Sequence, residues 1–236
     1  MKKLGLLFSI LFLVTGFGMG ATLTVIHGIP GDSIGLPRAL EVDVYVNQAY
    51  EAPAFSFEFG DSVDNLDLPA GDYTFEVFVG GSDPTASDPV LSLDATLVGN
   101  RNYTAIAHLT YTGDPDAPGI ALSAFQNETS FISAGPPNGR LTVRHTANAP
   151  TVDLEIRRVL FWPFVIMPGF SNTDGEGPEE RVVDLLRGPF FVNLLVSGNQ
   201  VFTTGRLELA QGNNIIAYAI GDFFTDSFQL FVQVID

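Results

Sequence analysis

One stretch of sequence occurs twice in this chain, and the repeat constrains the fold more than any other feature does. Residues 66–79 read LDLPAGDYTFEVFV, a turn followed by alternating apolar and polar residues. Proline presets the backbone angle of such a turn, glycine accepts conformations that other residues resist, and alternation is typical of a strand with one buried face. Residues 185–196, LLRGPFFVNLLV, repeat this order. The sequence therefore predicts two copies of one β-structured unit.

The strands that flank this stretch are repeated in the same order. Residues 22–27, TLTVIH, correspond to residues 141–145, LTVRH, so that His27 and His145 are equivalent. The next strand reads VDVYV in the first copy and VDLEI in the second. The connection that precedes it is longer in the first copy, which carries a Gly- and Pro-rich insertion at Gly31–Ala39.

The composition favours an all-β fold. The chain has 24 Gly, 15 Pro and 20 Phe, which suit many short strands joined by tight turns, and it shows no long helical period. Each copy has roughly 100 residues and about seven strands, as in an immunoglobulin-like or transthyretin-like antiparallel β-sandwich. We expect a signal peptide (1–20), a first domain (21–128), a linker (129–138) and a second domain (139–236), each domain folding separately. One continuous barrel is the alternative, but the linker prolines and the restarted pattern disfavour it.

The first twenty residues have the pattern of an export signal. Lys2 and Lys3 supply positive charge, residues 4–14 form an apolar run, and small residues precede Ala21. The run is too short to span a membrane comfortably, and no stop-transfer segment follows it. An uncleaved anchor is the alternative. We expect cleavage, no later transmembrane segment, and a protein in the periplasm, at the cell surface or outside the cell.

The exported chain would be strongly acidic. The 11 basic residues include two lysines, Lys2 and Lys3, both in the signal, so nine arginines face 27 acidic residues at a formal charge of −18. This argues against nucleic acid, which needs a basic footprint, and against anionic lipid. The chain has no cysteine, so each core must be stable without disulfides.

The repeated residues resemble a known family, the exported bacterial and archaeal domain of unknown function 4397. Its approximate pattern is V-x-H-x-x-P followed by V-D-V-Y-V and later by L-P-A-G-x-Y. The first copy matches it at Val25, His27, Pro30, 42–46 and 68–77. The second copy keeps Val143, His145, Pro150 and Val152-Asp153 but is degenerate elsewhere. The resemblance implies a tandem sandwich at or outside the cell surface and brings no catalytic residues with it.

The histidines are the candidates for acid–base chemistry. A catalytic interpretation pairs His27 or His145 with Asp43 or Asp153 as an orienting group. Strand alternation instead places each of these histidines inward beside valines and each aspartate outward. Because the pair recurs in both copies, we expect a structural role in which the imidazole bonds to local backbone. His108 is the third histidine, and no nucleophile-elbow, HExxH, Walker or dinucleotide motif occurs.

One loop resembles the start of a calcium site. Residues 172–177, NTDGEG, place oxygen ligands at Asn172, Asp174 and Glu176 with glycine sixth. The twelfth position is Val183, where an EF-hand needs a bidentate glutamate, so calcium here is an alternative to a solvated turn. No other cofactor is expected. Two more acidic turns are predicted, at Asp114 and Asp116 and at Asp61, Asp64 and Asp67.

Two apolar segments of the second copy are candidates for a partner surface. The first is residues 159–168, VLFWPFVIMP, with Phe161, Trp162 and Phe164. The second is the repeated strand, whose outward positions in the first copy are Thr74, Glu76 and Phe78 and in the second Phe191, Asn193 and Leu195. A sandwich strand needs only one buried face, so something must cover Phe191 and Leu195. The cover is residues 159–168, the first domain or another molecule.

These features favour a non-enzymatic exported module for binding, adhesion or assembly at the cell envelope. Its partner would be an envelope protein or polysaccharide, or a second copy of the chain. The alternative is a secreted carbohydrate-active hydrolase with an acidic dyad, which would need two carboxylates at glycosidase spacing in a cleft.

We predict that the mature protein begins at about Ala21 and lies beyond the inner membrane. The intact mass of protein recovered from the periplasm or the medium tests this. A full-length species embedded in the membrane would contradict it.

Overall fold

The structure, a computed structural model, describes residues 19–129, 137–158 and 165–235. Within them the fold is all-β, apart from a short 3₁₀ helix at Gly31–Ile34. The strands of the first copy are β1 Ala21–His27, β2 Val42–Val46, β3 Phe55–Phe57, β4 Ser62–Leu68, β5 Gly71–Val79, β6 Leu91–Leu97, β7 Asn102–Thr110 and β8 Gly119–Asn127. Those of the second copy are β9 Asn138–His145, β10 Val152–Arg158, β11 Val165–Phe170, β12 Asn172–Thr173, β13 Gly177–Pro178, β14 Glu180–Leu186, β15 Gly188–Val196, β16 Asn199–Thr203, β17 Leu207–Leu209, β18 Asn214–Ile220 and β19 Gln229–Ile235.

The two copies have the same topology. The first copy has an inner sheet of order β4-β1-β7-β8 and an outer sheet of order β3-β2-β5-β6. The second copy has an inner sheet of order β14-β9-β18-β19 and an outer sheet of order β11-β10-β15-β16, with β17 also paired to β15. β12 and β13 form a separate small hairpin. The duplication inferred from the sequence is therefore a duplication of sheet order.

Pairing is antiparallel as expected, except at one position in each inner sheet. β1 runs parallel to β7, and β9 runs parallel to β18. A parallel pair needs a long crossover connection. In both copies that connection contains the strands of the outer sheet and one edge strand of the inner sheet, β4 in the first copy and β14 in the second.

Each copy has its own core between its two sheets, built by strand alternation. In the repeated strand β5, Tyr73, Phe75 and Val77 face the inner sheet and are buried, and in β15 Phe190, Val192 and Leu194 do the same. Burial of such side chains contributes roughly 1.5–3 kcal/mol each. The first core also contains Leu23, Val25, Val42, Val44, Phe57, Leu97, Tyr103 and Ala105, and the second contains Leu141, Val143, Leu154, Ile156, Phe170, Leu209, Ile215 and Ala217.

The outer face of β5 is not the solvated face that its sequence suggests. Glu76 and Phe78 are both buried there. Phe78 packs edge-on against Tyr45 and Tyr50, and the Tyr50 hydroxyl donates a hydrogen bond to Glu76 at 2.8 Å. The covering ring of Tyr50 comes from the loop after β2. The alternation of residues along β5 alone does not predict a contact with that loop.

The prediction of an acidic turn at Asp61, Asp64 and Asp67 is wrong, because most of this segment forms strand β4. This strand is the edge of the inner sheet and pairs with β1 across a register shift between Leu23 and Val25. Asn65 adopts a left-handed backbone angle (φ 56°), as asparagine tolerates. Charged side chains on an edge strand discourage pairing with other chains.

The inner sheets of the two copies pack against each other and bury a third apolar cluster. Ile26 and Ile106 of the first copy lie in it with Ile216 and Tyr218 of the second. The fold is therefore a stack of four sheets. We expect each domain to fold separately, and that expectation does not include an apolar layer shared by the two copies. The domain limits stay a prediction.

A buried arginine lies at the centre of the contact between the copies. Arg144 of β9 is 2% exposed. Its Nη1 donates to Oδ1 of Asn127 in the first copy and to the Tyr218 hydroxyl, both at 2.7 Å, and its Nε donates to Glu180 at 2.7 Å. Its guanidinium carbon lies 4.1 Å from the centre of the Phe125 ring. Residues of both copies thus pair the charge of Arg144, accept its hydrogen bonds and contact the face of its guanidinium group.

Gln233 extends this network across the contact. Its Nε2 donates to the Thr24 hydroxyl at 2.8 Å, and its Oε1 accepts from Thr104 at 3.1 Å and from Tyr218 at 3.3 Å. Buried polar groups are costly when unpaired and specify geometry when paired. The network therefore fixes one register of the two inner sheets.

We predict that Arg144→Met destabilises the whole chain by about 2–4 kcal/mol, because the buried Asn127 and Tyr218 lose their donor inside the contact. Urea unfolding monitored by circular dichroism measures this. Arg206→Met is the matched control, since Arg206 and its partner Glu208 are both mostly exposed, and it should have little effect. Equal midpoints for Arg144→Met and the wild type would contradict the prediction.

Candidate functional site

His27, the first family histidine, is buried and forms no hydrogen bond through its ring. It is 4% exposed, and within the described part of the chain neither Nδ1 nor Nε2 has a hydrogen-bond partner. Burial lowers its pKa to about 4, although the charge of Asp61 acts in the opposite direction. The imidazole is therefore neutral at pH 7. The expected bond from this ring to local backbone is not present.

His27 lines a cavity inside the first copy. The cavity measures about 20 Å³, enough for at least one water molecule. Its remaining lining is apolar, from Val25, Ile26, Val42, Val44, Phe57, Phe75, Val77, Ala105, Ala107 and Leu122. Among the described residues no carboxylate lines this cavity, and the acidic dyad that a glycosidase requires is not formed in it by them.

The family aspartates bind backbone rather than histidine. Asp43 accepts hydrogen bonds from the Ser56 hydroxyl and, at 3.0 Å, from the backbone N–H of Gly81. Asp153 accepts from the backbone N–H of Gly169 at 3.1 Å. In both copies this carboxylate thus ties the second strand to a neighbouring loop or strand. The His–Asp pairing that a catalytic interpretation requires is not formed by these groups.

His108 and His145 are also buried. His108 bonds to the Leu109 carbonyl through Nδ1 at 2.8 Å and to the Ser123 hydroxyl through Nε2 at 2.9 Å. The His145 ring packs edge-on to Phe170, with ring centres 5.3 Å apart. Burial lowers the pKa of each histidine to about 4. Both are neutral core histidines at pH 7.

Loops of both copies meet at one end of the sheet stack. We call this region the junction surface and define it as residues 28–40, 111–118, 171–179 and 221–228. Tyr111 bridges to Thr173, Arg38 donates to the Asp226 carbonyl at 2.8 Å, and Asn148 donates to the Pro115 carbonyl at 3.1 Å. The Gly31–Ala39 insertion therefore contacts the second copy.

The predicted calcium loop is part of this surface, and two of its side chains join the copies. The Asn172 amide donates to the carbonyls of Leu109 (2.7 Å) and Ala147 (3.2 Å), and the Asp174 carboxylate accepts from Thr110 (2.9 Å). Glu176 is exposed. In the described residues no group of three or more His, Asp and Glu is placed to hold a metal ion. Calcium binding through Asn172, Asp174 and Glu176 stays a prediction.

The junction surface brings together two of the predicted acidic turns and an aromatic pair that sequence reasoning missed. The turns are those at Asp114–Asp116 and at Asn172–Glu176. Tyr111 and Phe224 stack on this surface with ring centres 6.0 Å apart and planes inclined by 25°. Phe224 is 44% exposed, and it is the one Phe, Tyr or Trp classed as exposed among the described residues. The two rings are far apart in sequence, so no local pattern relates them.

The predicted surface at Phe191 and Leu195 lies on the outer face of the second copy. Both side chains are half-buried and flank Asn193, which is almost fully buried. Asn193 donates to Glu155 at 2.7 Å and accepts from Thr203 at 2.7 Å. Burial alone would raise the pKa of Glu155, but hydrogen bonds from Arg157 and Asn193 outweigh it and lower that pKa. Phe161, Trp162 and Phe164 lie outside the described residues.

The family model described as "Domain of unknown function (DUF4397)" matches residues 21–155, more than half of the chain. The chain belongs to the DUF4397 family. The match covers the first copy, strand β9 and the first part of strand β10. The resemblance of the VDVYV and LPAGDY motifs to this family is thereby confirmed. No curated protein matches the sequence.

Solved structures resemble this DUF4397 protein weakly. A Bacteroides ovatus protein proposed to function in cell adhesion shares 10% identity, with 93% of this chain and 98% of that chain covered and a TM-score of 0.28. A Bacteroides fragilis protein with the same proposed role shares 13% identity, with 83% of each chain covered and a TM-score of 0.25. A family 26 carbohydrate-binding module from Eubacterium rectale, in complex with maltoheptaose, shares 12% identity, with coverage of 91% and 96% and a TM-score of 0.24. Similarity this weak assigns no function to the DUF4397 chain.

The described residues of this DUF4397 protein include no helix long and apolar enough to cross a membrane.

We predict that the DUF4397 protein loses stability as the pH falls from about 6.5 to 4. The three histidine pKa values are about 4 when folded and about 6.5 when unfolded, so only the unfolded chain takes up these protons in that window. Above about pH 6.5 the free energy of unfolding is not lowered by these histidines. Below about pH 4 it is not lowered further by them, because the folded chain then takes up the same protons. Each imidazole accounts for up to about 3 kcal/mol, at 1.36 kcal/mol per pKa unit.

Urea unfolding at several pH values measures this loss, and His27→Leu isolates one histidine. The variant should show a shallower pH dependence and be at least as stable at pH 7, because two unpartnered nitrogens are removed. A wild-type stability that is flat between pH 6.5 and 4 would refute the assignment of neutral buried histidines.

Proposed function

We propose that this chain is a non-enzymatic exported module that binds a protein or polysaccharide of the cell envelope, or a second copy of itself, through the outer face of its second copy. Export is proposed from the pattern of residues 1–20, followed by a strand that begins at Ala21. The family supplies no catalytic residues. The described site residues support binding more than chemistry.

The observation that carries the proposal is the half-exposed apolar pair Phe191 and Leu195 on an outermost sheet. The inner sheet of the second copy faces the first copy, so the first copy packs on the opposite side and does not cover this pair. Ile166, opposite Glu155 on the neighbouring strand, is 49% exposed and extends the apolar surface. Apolar side chains rimmed by polar ones mark binding surfaces.

The polar centre of this face suits recognition. Asn193, Glu155 and Thr203 form a hydrogen-bonded row across three strands, and Arg157 holds Glu155 at 2.6 Å. The row is therefore rigid before any partner arrives. Binding surfaces combine apolar anchors with a small number of fixed polar groups in this way.

We predict that Phe191→Ser with Leu195→Ser weakens self-association or binding to envelope material while the first copy stays folded. Sedimentation velocity of the mature chain and co-sedimentation with washed envelope fragments measure the two effects. Loss of two partly buried anchors should weaken binding at least tenfold, at about 1.4 kcal/mol per decade.

The matched control is Val90→Ser with Val98→Ser, which removes two exposed apolar side chains of the first copy. It should leave association unchanged. The proposed face is wrong if the Phe191/Leu195 variant sediments and binds as the wild type does. Unfolding curves of both variants separate a binding defect from a folding defect.

A further inference from the structure

The aromatic pair of the junction surface is held rigidly at the protein surface. The backbone N–H of Phe224 donates to the Asp222 carboxylate at 2.9 Å, and that of Phe223 donates to the Asn148 carbonyl at 2.9 Å. Phe223 also packs edge-on against Phe224, with ring centres 5.6 Å apart. On the other side, Tyr111 is paired to the second copy through Thr173. An exposed ring that is fixed from several directions is prepared for contact at low entropic cost.

The junction surface carries several carboxylates close in sequence to this pair. Its one described cation in residues 28–40, Arg38, pairs with Asp32 at 3.6 Å and donates to the main-chain carbonyl of Asp226. Asp114 and Asp116 belong to the turn whose Pro115 carbonyl is held by Asn148, the residue that also holds Phe223. Asp174 donates its backbone N–H to the Tyr111 carbonyl. Among the described residues, the salt bridges of the chain involve none of Asp114, Asp116, Asp174, Glu176 and Asp226.

The protein already binds one of its own guanidinium groups with the same combination of groups. Arg144 lies 4.1 Å from the Phe125 ring centre and 5.4 Å from that of Tyr218, and Glu180 pairs with its charge. A phenylalanine, a tyrosine and a carboxylate thus form a cation site within the contact between the copies. Tyr111 and Phe224, with the adjacent carboxylates, repeat that set of groups at the surface.

We propose that the junction surface binds an arginine or lysine side chain of a basic partner protein, with the cation over the Tyr111–Phe224 pair and the neighbouring carboxylates balancing its charge. This inference rests on the proposed binding function and adds a second contact, distinct from the Phe191/Leu195 face. Cation–π contact within about 6 Å of a ring centre supplies affinity, and the acidic surface accelerates encounter.

The charge of the chain decides between possible occupants. The mature protein has nine arginines against 27 acidic residues, so a second copy would bring mostly like charge to this surface. A neutral sugar could stack on the rings but would gain no Coulomb energy from the carboxylates. A basic segment uses both the rings and the charge, which makes it the occupant that the chemistry favours.

The test uses the mature chain and a fluorescein-labelled hexa-arginine peptide, with fluorescence anisotropy at low and at high salt. Phe224→Ser and Phe224→Leu, which removes the ring but keeps an apolar side chain, should each weaken binding about threefold to fivefold. Asp114→Asn with Asp116→Asn should weaken binding by a similar factor and reduce its salt dependence. Asp64→Asn with Asp67→Asn, which removes two charges from β4, is the matched control and should leave affinity unchanged.

Three results would overturn the proposal. The first is no peptide binding to the wild type, and the second is an equal loss in the β4 control, which would indicate diffuse charge attraction. The third is binding of maltoheptaose that depends on Phe224 but not on Asp114 and Asp116, which would assign the rings to a neutral polysaccharide. The Phe191/Leu195 double variant should bind the peptide normally. A failure at the junction surface is thereby distinguishable from a failure of the proposed function.

Discussion

The buried guanidinium of Arg144 is the interaction on which the four-sheet arrangement depends. An arginine held in apolar surroundings is tolerated only if every donor and the charge are paired. Asn127 and Phe125 of the first copy and Tyr218 and Glu180 of the second satisfy it together. Neither copy alone provides this environment, so the contact between the copies is specific in register and not merely apolar.

The two repeats differ at the same contact. Strand pairing makes Ile26 and Ile106 of the first copy equivalent to Arg144 and Tyr218 of the second. At these two positions the first inner sheet presents isoleucines where its duplicate presents an arginine and a tyrosine. Because the inner sheets cover each other, the outer sheets and the loop ends remain for other molecules. The two proposed contacts, on the outer face of the second copy and at the junction surface, use those regions.

The histidines that the two copies share serve the fold as neutral core residues. His27 has two unpartnered nitrogens beside a small apolar cavity, which is an unusual cost for a core to carry. The aspartate of the same motif works separately, since Asp43 and Asp153 each hold a backbone N–H. The histidine and the aspartate of the motif thus have separate structural roles, although they are close in sequence. They do not form one site together.

The sequence by itself determined the all-β class, the duplication and most core faces, because period-two alternation and turn residues are local signals. It also pointed to the DUF4397 family through VDVYV and LPAGDY. Only the tertiary structure decided the parallel β1–β7 pair, the cover over Phe78 and the stacking of Tyr111 on Phe224. Each of these joins residues distant in sequence, and alternation along one strand does not record which residue of another segment will lie above it. Arg144 shows this limit most clearly. Its charge is buried, and its partners Asn127 and Phe125 come from the other copy, so the sequence of its own strand does not predict how the charge is satisfied.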